Sequence, residues 1–309
     1  MVTGRETHRP PRDEGQLQDR LAEIPPLQPP PALNDEIESE LIRSDHSLPH
    51  DPAPSDQAQS HQTHSQAEAY KPSKQSWLIS KAKELRDPVN RWFARQSLIP
   101  DDALIDAAHL PQLADMEERW QAIHAEAQAL LTGPEKIPAF GKISPDHRRI
   151  ATNSAWKSFF LEGYGFKPQA NRALCPETVA MLEEIPGLVV AFFSIMEPGT
   201  YVPSHRGLTK AWLNCHLPLM VPKGSGRCEM RVGDTMTRWQ EGRWLIFDET
   251  VEHEVWNESD EVRIVLFLQV RRPMTRIGNW AASLLFRIIR RTGFVRDANK
   301  AITASRQPD

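Results

Sequence analysis

Three histidines and one arginine lie where strand-like sequence gives a polar side chain little reason to be. Arg263 interrupts the apolar run Val262-Arg-Ile-Val-Leu-Phe-Leu268. A guanidinium buried there without an anion costs several kcal/mol, so a carboxylate partner is implied. That partner is either an internal acid such as Asp248 or the carboxylate of a ligand, and the strand alone leaves both open. His216 sits in Ala211-Trp-Leu-Asn-Cys-His-Leu-Pro-Leu-Met-Val221. Period-two alternation puts Leu213, Cys215, Leu217, Leu219 and Val221 on one face and Trp212, Asn214, His216 and Met220 on the other. The ordinary role of such a histidine is a hydrogen-bonded core residue.

His205, in Pro203-Ser-His-Arg-Gly207, and His253, in Val251-Glu-His-Glu-Val-Trp256, each fall at a strand edge. Neutral imidazoles are the commonest protein metal ligands, and two of them leave much of an octahedral ion open to other ligands. The two-histidine, one-carboxylate iron triad carries an acid two residues after the first histidine, and here that position is Gly207. Glu249, Glu252 and Glu254 read as solvated charges of a loop and strand edge rather than as ligands. Cys175, Cys215 and Cys228 show neither paired metal spacing nor a disulfide framework, which points to a reducing compartment.

The elements that must position these residues begin at Gly187. About seven short runs rich in Val, Ile, Phe and Trp follow one another over some eighty residues, separated by Pro198-Gly199, Pro222-Lys-Gly224, Gly233-Asp234 and Glu241-Gly242. No helical period interrupts them, so the pattern predicts an antiparallel sandwich or barrel of the jelly-roll kind. Upstream, Ser76–Arg95 reads as a helix with Pro88 as a break or kink, and Leu110–Leu131 as a second helix stopped by Gly133-Pro134. Downstream, Ile277, Trp280, Ala281, Leu284, Leu285, Ile288 and Ile289 share one broad helical face, with Arg276, Asn279, Ser283, Arg287 and Arg290 opposite. Two readings fit that tail: a helix docked on the barrel with its arginines in solvent, or a helix lying on an anionic membrane surface.

Composition divides the chain further. Residues 1–74 hold 11 of the 26 prolines and no Trp or Phe, with 7 basic and 13 acidic groups, and read as a disordered acidic arm able to recruit partners. Residues 271–309 carry 9 basic and 2 acidic groups, so the formal net charge of −4 hides a basic end. No dominant positive field marks a nucleic-acid binder, and no run is long enough to span a membrane. The expected organisation is the arm over 1–74, helical support over 75–150, the β-domain over 151–272 and the basic helical tail over 273–309.

Taken together, Phe193-Ser-Ile-Met-Glu-Pro-Gly-Thr200, Pro203-Ser-His-Arg-Gly207, His216-Leu-Pro-Leu219, Glu241-Gly-Arg-Trp-Leu-Ile-Phe-Asp248, Glu252-His-Glu-Val-Trp256 and Arg263 resemble the aspartyl/asparaginyl β-hydroxylase family, in order and spacing, over roughly Trp156 to Val270. The resemblance implies a mainly β fold, the double-stranded β-helix (jelly roll, cupin-like), with supporting N-terminal helices and a C-terminal amphipathic helix. It also implies an iron(II)- and 2-oxoglutarate-dependent dioxygenase that uses O2. His205 and His253 match the metal ligands, with Gly207 where other oxygenases carry the acid. Ser194, Met196, His216 and Arg263 match the 2-oxoglutarate pocket, with Arg263 on the distal carboxylate. His205, His253 and Arg263 are thus the catalytic set, and Arg206 and Asn214 the substrate candidates.

Asn214 departs from the pattern, since family members, the lipid A hydroxylase branch included, usually carry an arginine there, which in the peptide hydroxylases is expected to help hold the anionic substrate side chain. The resemblance therefore leaves a peptidyl Asp/Asn side chain and a lipid acyl chain both open as substrates, the latter through a lipid A hydroxylase-like bacterial branch. A non-catalytic barrel binding a small carboxylate is the alternative of another class. The expected location is cytoplasmic, with residues 276–291 as the peripheral contact if the inner face of the membrane is involved.

Overall fold

The computed structural model describes residues 74–304 apart from 135, 144–149 and 152–153, so all but the last residue of the 1–74 arm lies outside it. The fold is mainly β, with ten strands in two antiparallel sheets among the described residues. They are β1 (Leu104–Ile105), β2 (Trp156–Gly163), β3 (Leu188–Met196), β4 (Thr200–His205), β5 (Trp212–Met220), β6 (Cys228–Val232), β7 (Thr235–Thr237), β8 (Leu245–Phe247), β9 (His253–Asn257) and β10 (Arg263–Arg271). The larger sheet runs β1-β8-β5-β10-β3-β2 and the smaller β4-β9-β6-β7. From β3 onward the chain passes back and forth between the two sheets, which is the winding of a double-stranded β-helix. Eight strands fill 188–271, one more than the turn signals mark. The extra one is the three-residue β7, hairpinned to β6 through Gly233 at φ +58°.

Among the described residues five helices of eight or more residues accompany the sheets: α1 (Lys74–Gln96), α2 (Trp120–Thr132), α3 (Pro176–Glu183), α4 (Arg276–Arg290) and α5 (Gly293–Ala304). Alternation along β5 and β10 decides what each face meets. Leu213, Cys215, Leu217 and Leu219, with Ile264, Leu266, Leu268 and Val270, form the outer face and pack on Ile123, Ala127 and Leu130 of α2 and Met181 and Leu182 of α3. Each fully buried Leu, Ile, Val or Met among these contributes about 2 kcal/mol. The opposite faces, with Asn214 and His216 on β5 and Arg263, Val265, Phe267 and Gln269 on β10, turn toward the space between the sheets. This is the division that period-two reading predicts as far as Leu219; beside the register shift at Ile264/Val265 the alternation fails, and Met220 packs with the outer cluster while Val221 packs with the inner one.

Three helical expectations need correction. The 110–131 stripe is not one helix: two 3-10 turns precede a short α segment, Ala114–Glu118, and the chain breaks at Arg119 before α2. Its buried positions, Leu113, Met116, Ile123, Ala127 and Leu130, are nonetheless the expected ones. In α1, which contains Pro88, Phe93 is buried while Leu85, Val89 and Trp92 are exposed, so most of the described stripe is not core. In α4 the docked edge is Gly278, Ala282 and Ile289, whereas Ile277, Trp280, Leu284 and Ile288 face solvent. Gly278 allows the approach: a Cβ there would lie 2.7 Å from that of Gln96 and 2.9 Å from that of Met274. The helical support region also supplies strand β1, too short for any period to reveal.

Candidate active site

Strands β4 and β9 pair antiparallel with His205 opposite His253, and a register shift between Val202 and His205 turns the first histidine to face the second. Their ring centroids lie 4.2 Å apart. Each ring is oriented by its own strand, His205 Nδ1 donating to the Pro203 carbonyl and His253 Nδ1 to the Val251 carbonyl, both at 2.8 Å. With Nδ1 protonated, the lone pair of each ring sits on Nε2, the tautomer a metal requires. Burial, reinforced by His205, pushes His253 down to about 4, so it is neutral at physiological pH. Among the described residues no group of three or more His, Cys, Asp or Glu could hold a metal.

Arg263 and His216 occupy the interior end of the same cavity, whose volume is about 320 Å³. Arg263 is 2% exposed, lies 4.4 Å over the Trp239 ring, and donates Nη2 to the sulfur of Met196, its register partner on β3. Its Nε and Nη1 have no partner among the described residues, and burial lowers its pKa to about 10. Asp248 is not its counter-ion. That carboxylate is fully buried against Arg272 (2.5 Å) and Lys210 (2.7 Å). His216 accepts at Nδ1 from Trp239 Nε1 (3.2 Å), which leaves the proton on Nε2, a buried donor without an acceptor among the described residues. Burial, then Arg263, holds this ring well below the ordinary histidine range, so it stays neutral. Ser194 Oγ, on the same face of β3 as Met196, accepts from Trp156 Nε1 (3.0 Å). One orphaned cation and one orphaned N–H buried in this cavity fit a small oxygen-rich anion.

On the other side of the histidines stands Glu249. It is not the solvated loop charge expected, being 5% exposed and hydrogen-bonded by the Leu208 and Thr209 amides (3.0 and 3.2 Å), Trp212 Nε1 (3.2 Å) and Gln269 Nε2 (2.6 Å). Burial raises its pKa to about 7 despite these donors. Its side chain packs on Gly207, where any Cβ would fall 2.5 Å from Cγ and 2.7 Å from Cβ of Glu249. The acid absent at 207 is therefore excluded sterically as well as by sequence. Glu252 and Glu254 are engaged with Arg231 on the small sheet, away from ligand duty.

Asn214 and Gln269, register partners on β5 and β10, both line the cavity, and Asn214 Oδ1 and Gln269 Oε1 are buried without hydrogen-bond partners among the described residues. Beyond them the cavity wall is aromatic and aliphatic, with Phe140, Phe160, Phe192 and Phe267 leading toward Ile289 of α4 and Val295 of α5. Arg206 lies on the rim, exposed and 3.8 Å from Glu252. The structure thus brings Ser194, Met196, His205, Arg206, Asn214, His216, His253 and Arg263 to one cavity. Sequence reasoning missed Gln269 and Trp239 and dismissed Glu249. For Gln269 the signal was present, since it shares the face of Arg263 at i, i+6 in an apolar strand.

A jelly roll with a two-histidine centre and an orphaned arginine is an arrangement suited to metal-dependent chemistry on a cosubstrate anion. Residues 117–273 match the aspartyl/asparaginyl β-hydroxylase family, and the chain belongs to it. It is 42% identical over 179 residues to the ornithine lipid ester-linked acyl 2-hydroxylase of Rhizobium tropici, a match covering 57% of this chain and 64% of that protein. It is 31% identical over 163 residues to human aspartyl/asparaginyl beta-hydroxylase, covering 51% of this chain and 21% of the relative. The chain therefore spans just under two thirds of the first relative and about a fifth of the second.

Proposed function

We propose that this protein is an iron(II)- and 2-oxoglutarate-dependent dioxygenase that hydroxylates an unactivated C–H in the acyl chain of a lipid. The observation that carries the reading is the fully buried Arg263, without a carboxylate partner among the described residues, in one cavity with the paired His205 and His253. His205 and His253 would hold the metal through Nε2. Arg263 would bind the distal carboxylate of 2-oxoglutarate, with Ser194, Met196 and His216 forming the walls and the Nε2–H of His216 donating to a cosubstrate oxygen. When bound, iron and 2-oxoglutarate supply O2 activation coupled to oxidative decarboxylation to succinate and CO2.

The chain's own residues do the rest. Burial behind Trp156, Trp239 and Phe247 excludes water, and the two backbone carbonyls hold the histidine rings in the ligand tautomer. Phe140, Phe160, Phe192 and Phe267 offer an alkyl chain apolar surface, whereas neutral Asn214 offers no cation to an aspartyl carboxylate. The 42% identity to a lipid acyl hydroxylase supports the lipid over the peptide. Among the described residues no helix is long and apolar enough to cross a membrane. This reading puts the protein on the cytoplasmic side, reaching its substrate at the inner membrane surface through residues 276–291.

The test is direct. Full-length protein supplied with Fe(II), 2-oxoglutarate and dispersed acyl lipids should release succinate in step with lipid that gains one oxygen. His205→Ala should lose metal binding by at least a hundredfold in anaerobic titration. Absence of metal binding together with absence of succinate release, from lipid and peptide extracts alike, refutes the enzyme; succinate release with peptides alone refutes the lipid.

A further inference from the structure

Helix α4 has three faces, and packing uses only one. Gly278, Ala282 and Ile289 are buried against the body of the protein. Ile277, Trp280, Leu284 and Ile288 are 66%, 67%, 42% and 55% exposed. At 3.6 residues per turn these four fall within an arc of about 80°, centred about 130° from the buried face. Arg276, Arg287 and Arg290 are exposed along the edge of that stripe, and Arg291 caps its C-terminal end. The helix contains no acidic residue, and among the described residues none of these four arginines enters an ion pair.

A surface stripe of two isoleucines, a leucine and a tryptophan is not explained by folding, because its burial contributes nothing to this chain by itself. An unpaired arginine flank asks in addition for negative charge. A tryptophan on the apolar arc and arginines beside it are the composition of a helix lying in a bilayer interface. A second copy of the chain would bring the same uncompensated arginines to the contact and supply no carboxylate from this helix. The position also fits: Ile288 points outward while its neighbour Ile289 lines the cavity, so one helix thickness, about 10 Å, separates the stripe from the cavity.

We infer that α4 is an anionic-membrane docking helix, with Ile277, Trp280, Leu284 and Ile288 inserted at the acyl boundary and Arg276, Arg287 and Arg291 among the headgroups. Its purpose, holding the cavity beside the lipid it draws on, rests on the acyl-hydroxylase reading; the docking itself does not. Flotation of the full chain without metal or 2-oxoglutarate, with phosphatidylcholine vesicles and with vesicles containing 30 mol% phosphatidylglycerol, tests it. Binding should rise at least tenfold with the anionic lipid and fall in 0.5 M salt. Trp280→Ser/Leu284→Ser should lower binding about tenfold or more on anionic vesicles. Arg276→Gln/Arg287→Gln/Arg291→Gln should erase the preference for anionic lipid, at about fivefold per charge. All five side chains are exposed, so the variants should fold, as circular dichroism would confirm.

Equal binding to both vesicles, or binding unchanged in the variants, overturns the inference. So does a wild-type dimer that ignores vesicles and becomes monomeric in Trp280→Ser/Leu284→Ser. Turnover of detergent-dispersed lipid is measured alongside and should be the same in wild type and this variant. Dispersed-lipid turnover without vesicle binding defeats docking alone, and vesicle binding without any lipid turnover defeats the acyl reading alone.

Discussion

Replacing Gly207 by alanine adds one methyl group at the point where the chain passes Glu249. That methyl would lie 2.5 Å from Glu249 Cγ and 2.7 Å from its Cβ, distances that nonbonded carbons do not adopt. Glu249 cannot swing aside cheaply, because the Leu208 and Thr209 amides, Trp212 and Gln269 fix its carboxylate. Overpacking of this kind costs about 1–3 kcal/mol, and each hydrogen bond to the carboxylate broken by the adjustment adds about 1.5 kcal/mol or more. A total of about 3–4 kcal/mol corresponds to a fall in Tm of roughly 6–16 °C for a domain of this size. Thermal unfolding of Gly207→Ala, Glu249→Ala and the double variant reads it out. The double variant should be more stable than the sum of the singles by at least 1 kcal/mol, because removing Glu249 makes room for the methyl. Gly207→Asp should likewise fail to build a third metal ligand while Glu249 is present. A neutral Gly207→Ala, or strict additivity, would refute the packing argument.

Arg263→Met exchanges an unpaired buried cation for an apolar side chain, so the ligand-free protein should gain about 1–3 kcal/mol while the 2-oxoglutarate concentration for half-maximal turnover rises at least thirtyfold. Metal affinity should stay within a few fold, and loss of metal binding comparable to His205→Ala would contradict the separate roles. Glu249 carries a pH signature: its pKa is raised from 4.5 to about 7, so the folded state holds the proton more tightly than the unfolded one. Its contribution to stability is complete below pH 4.5 and lost as pH rises through 7, a span worth about 3 kcal/mol. Urea unfolding between pH 4.5 and 8 should show that slope in the wild type and a flatter one in Glu249→Gln; parallel slopes would count against it.

Legibility in the sequence followed the range of the interaction. Alternation along β5 is local, so the shared direction of Asn214 and His216 could be read from their spacing. The choice of partner for Arg263 could not. Asp248 follows β8, where Phe247 registers with Asn214, and it meets Arg272 just beyond the end of β10. Arg263 is at the other end of that strand, about 30 Å away at 3.3 Å per residue. A list of charges contains no such distance. Glu249 failed for a related reason: in sequence it is one acid among several in a loop, and only the fold encloses it with four donors.

By itself the sequence determined a mainly β domain, the residues that alternate toward its interior, and Arg263 as a guanidinium in need of an anion, because side-chain period and the desolvation of a lone guanidinium are properties of a few neighbouring residues; His205 and His253 stood out only through the family resemblance of their motifs. Tertiary structure alone decided that β4 and β9 bring the two imidazoles to 4.2 Å, that Arg263 meets no carboxylate among the described residues, and that Glu249 fills the space beside Gly207. It also decided which side of α4 docks. A helical wheel shows that a helix is amphipathic, but the face that reaches the core is chosen by the surface it meets, here one that Gly278 and Ala282 fit and Trp280 does not.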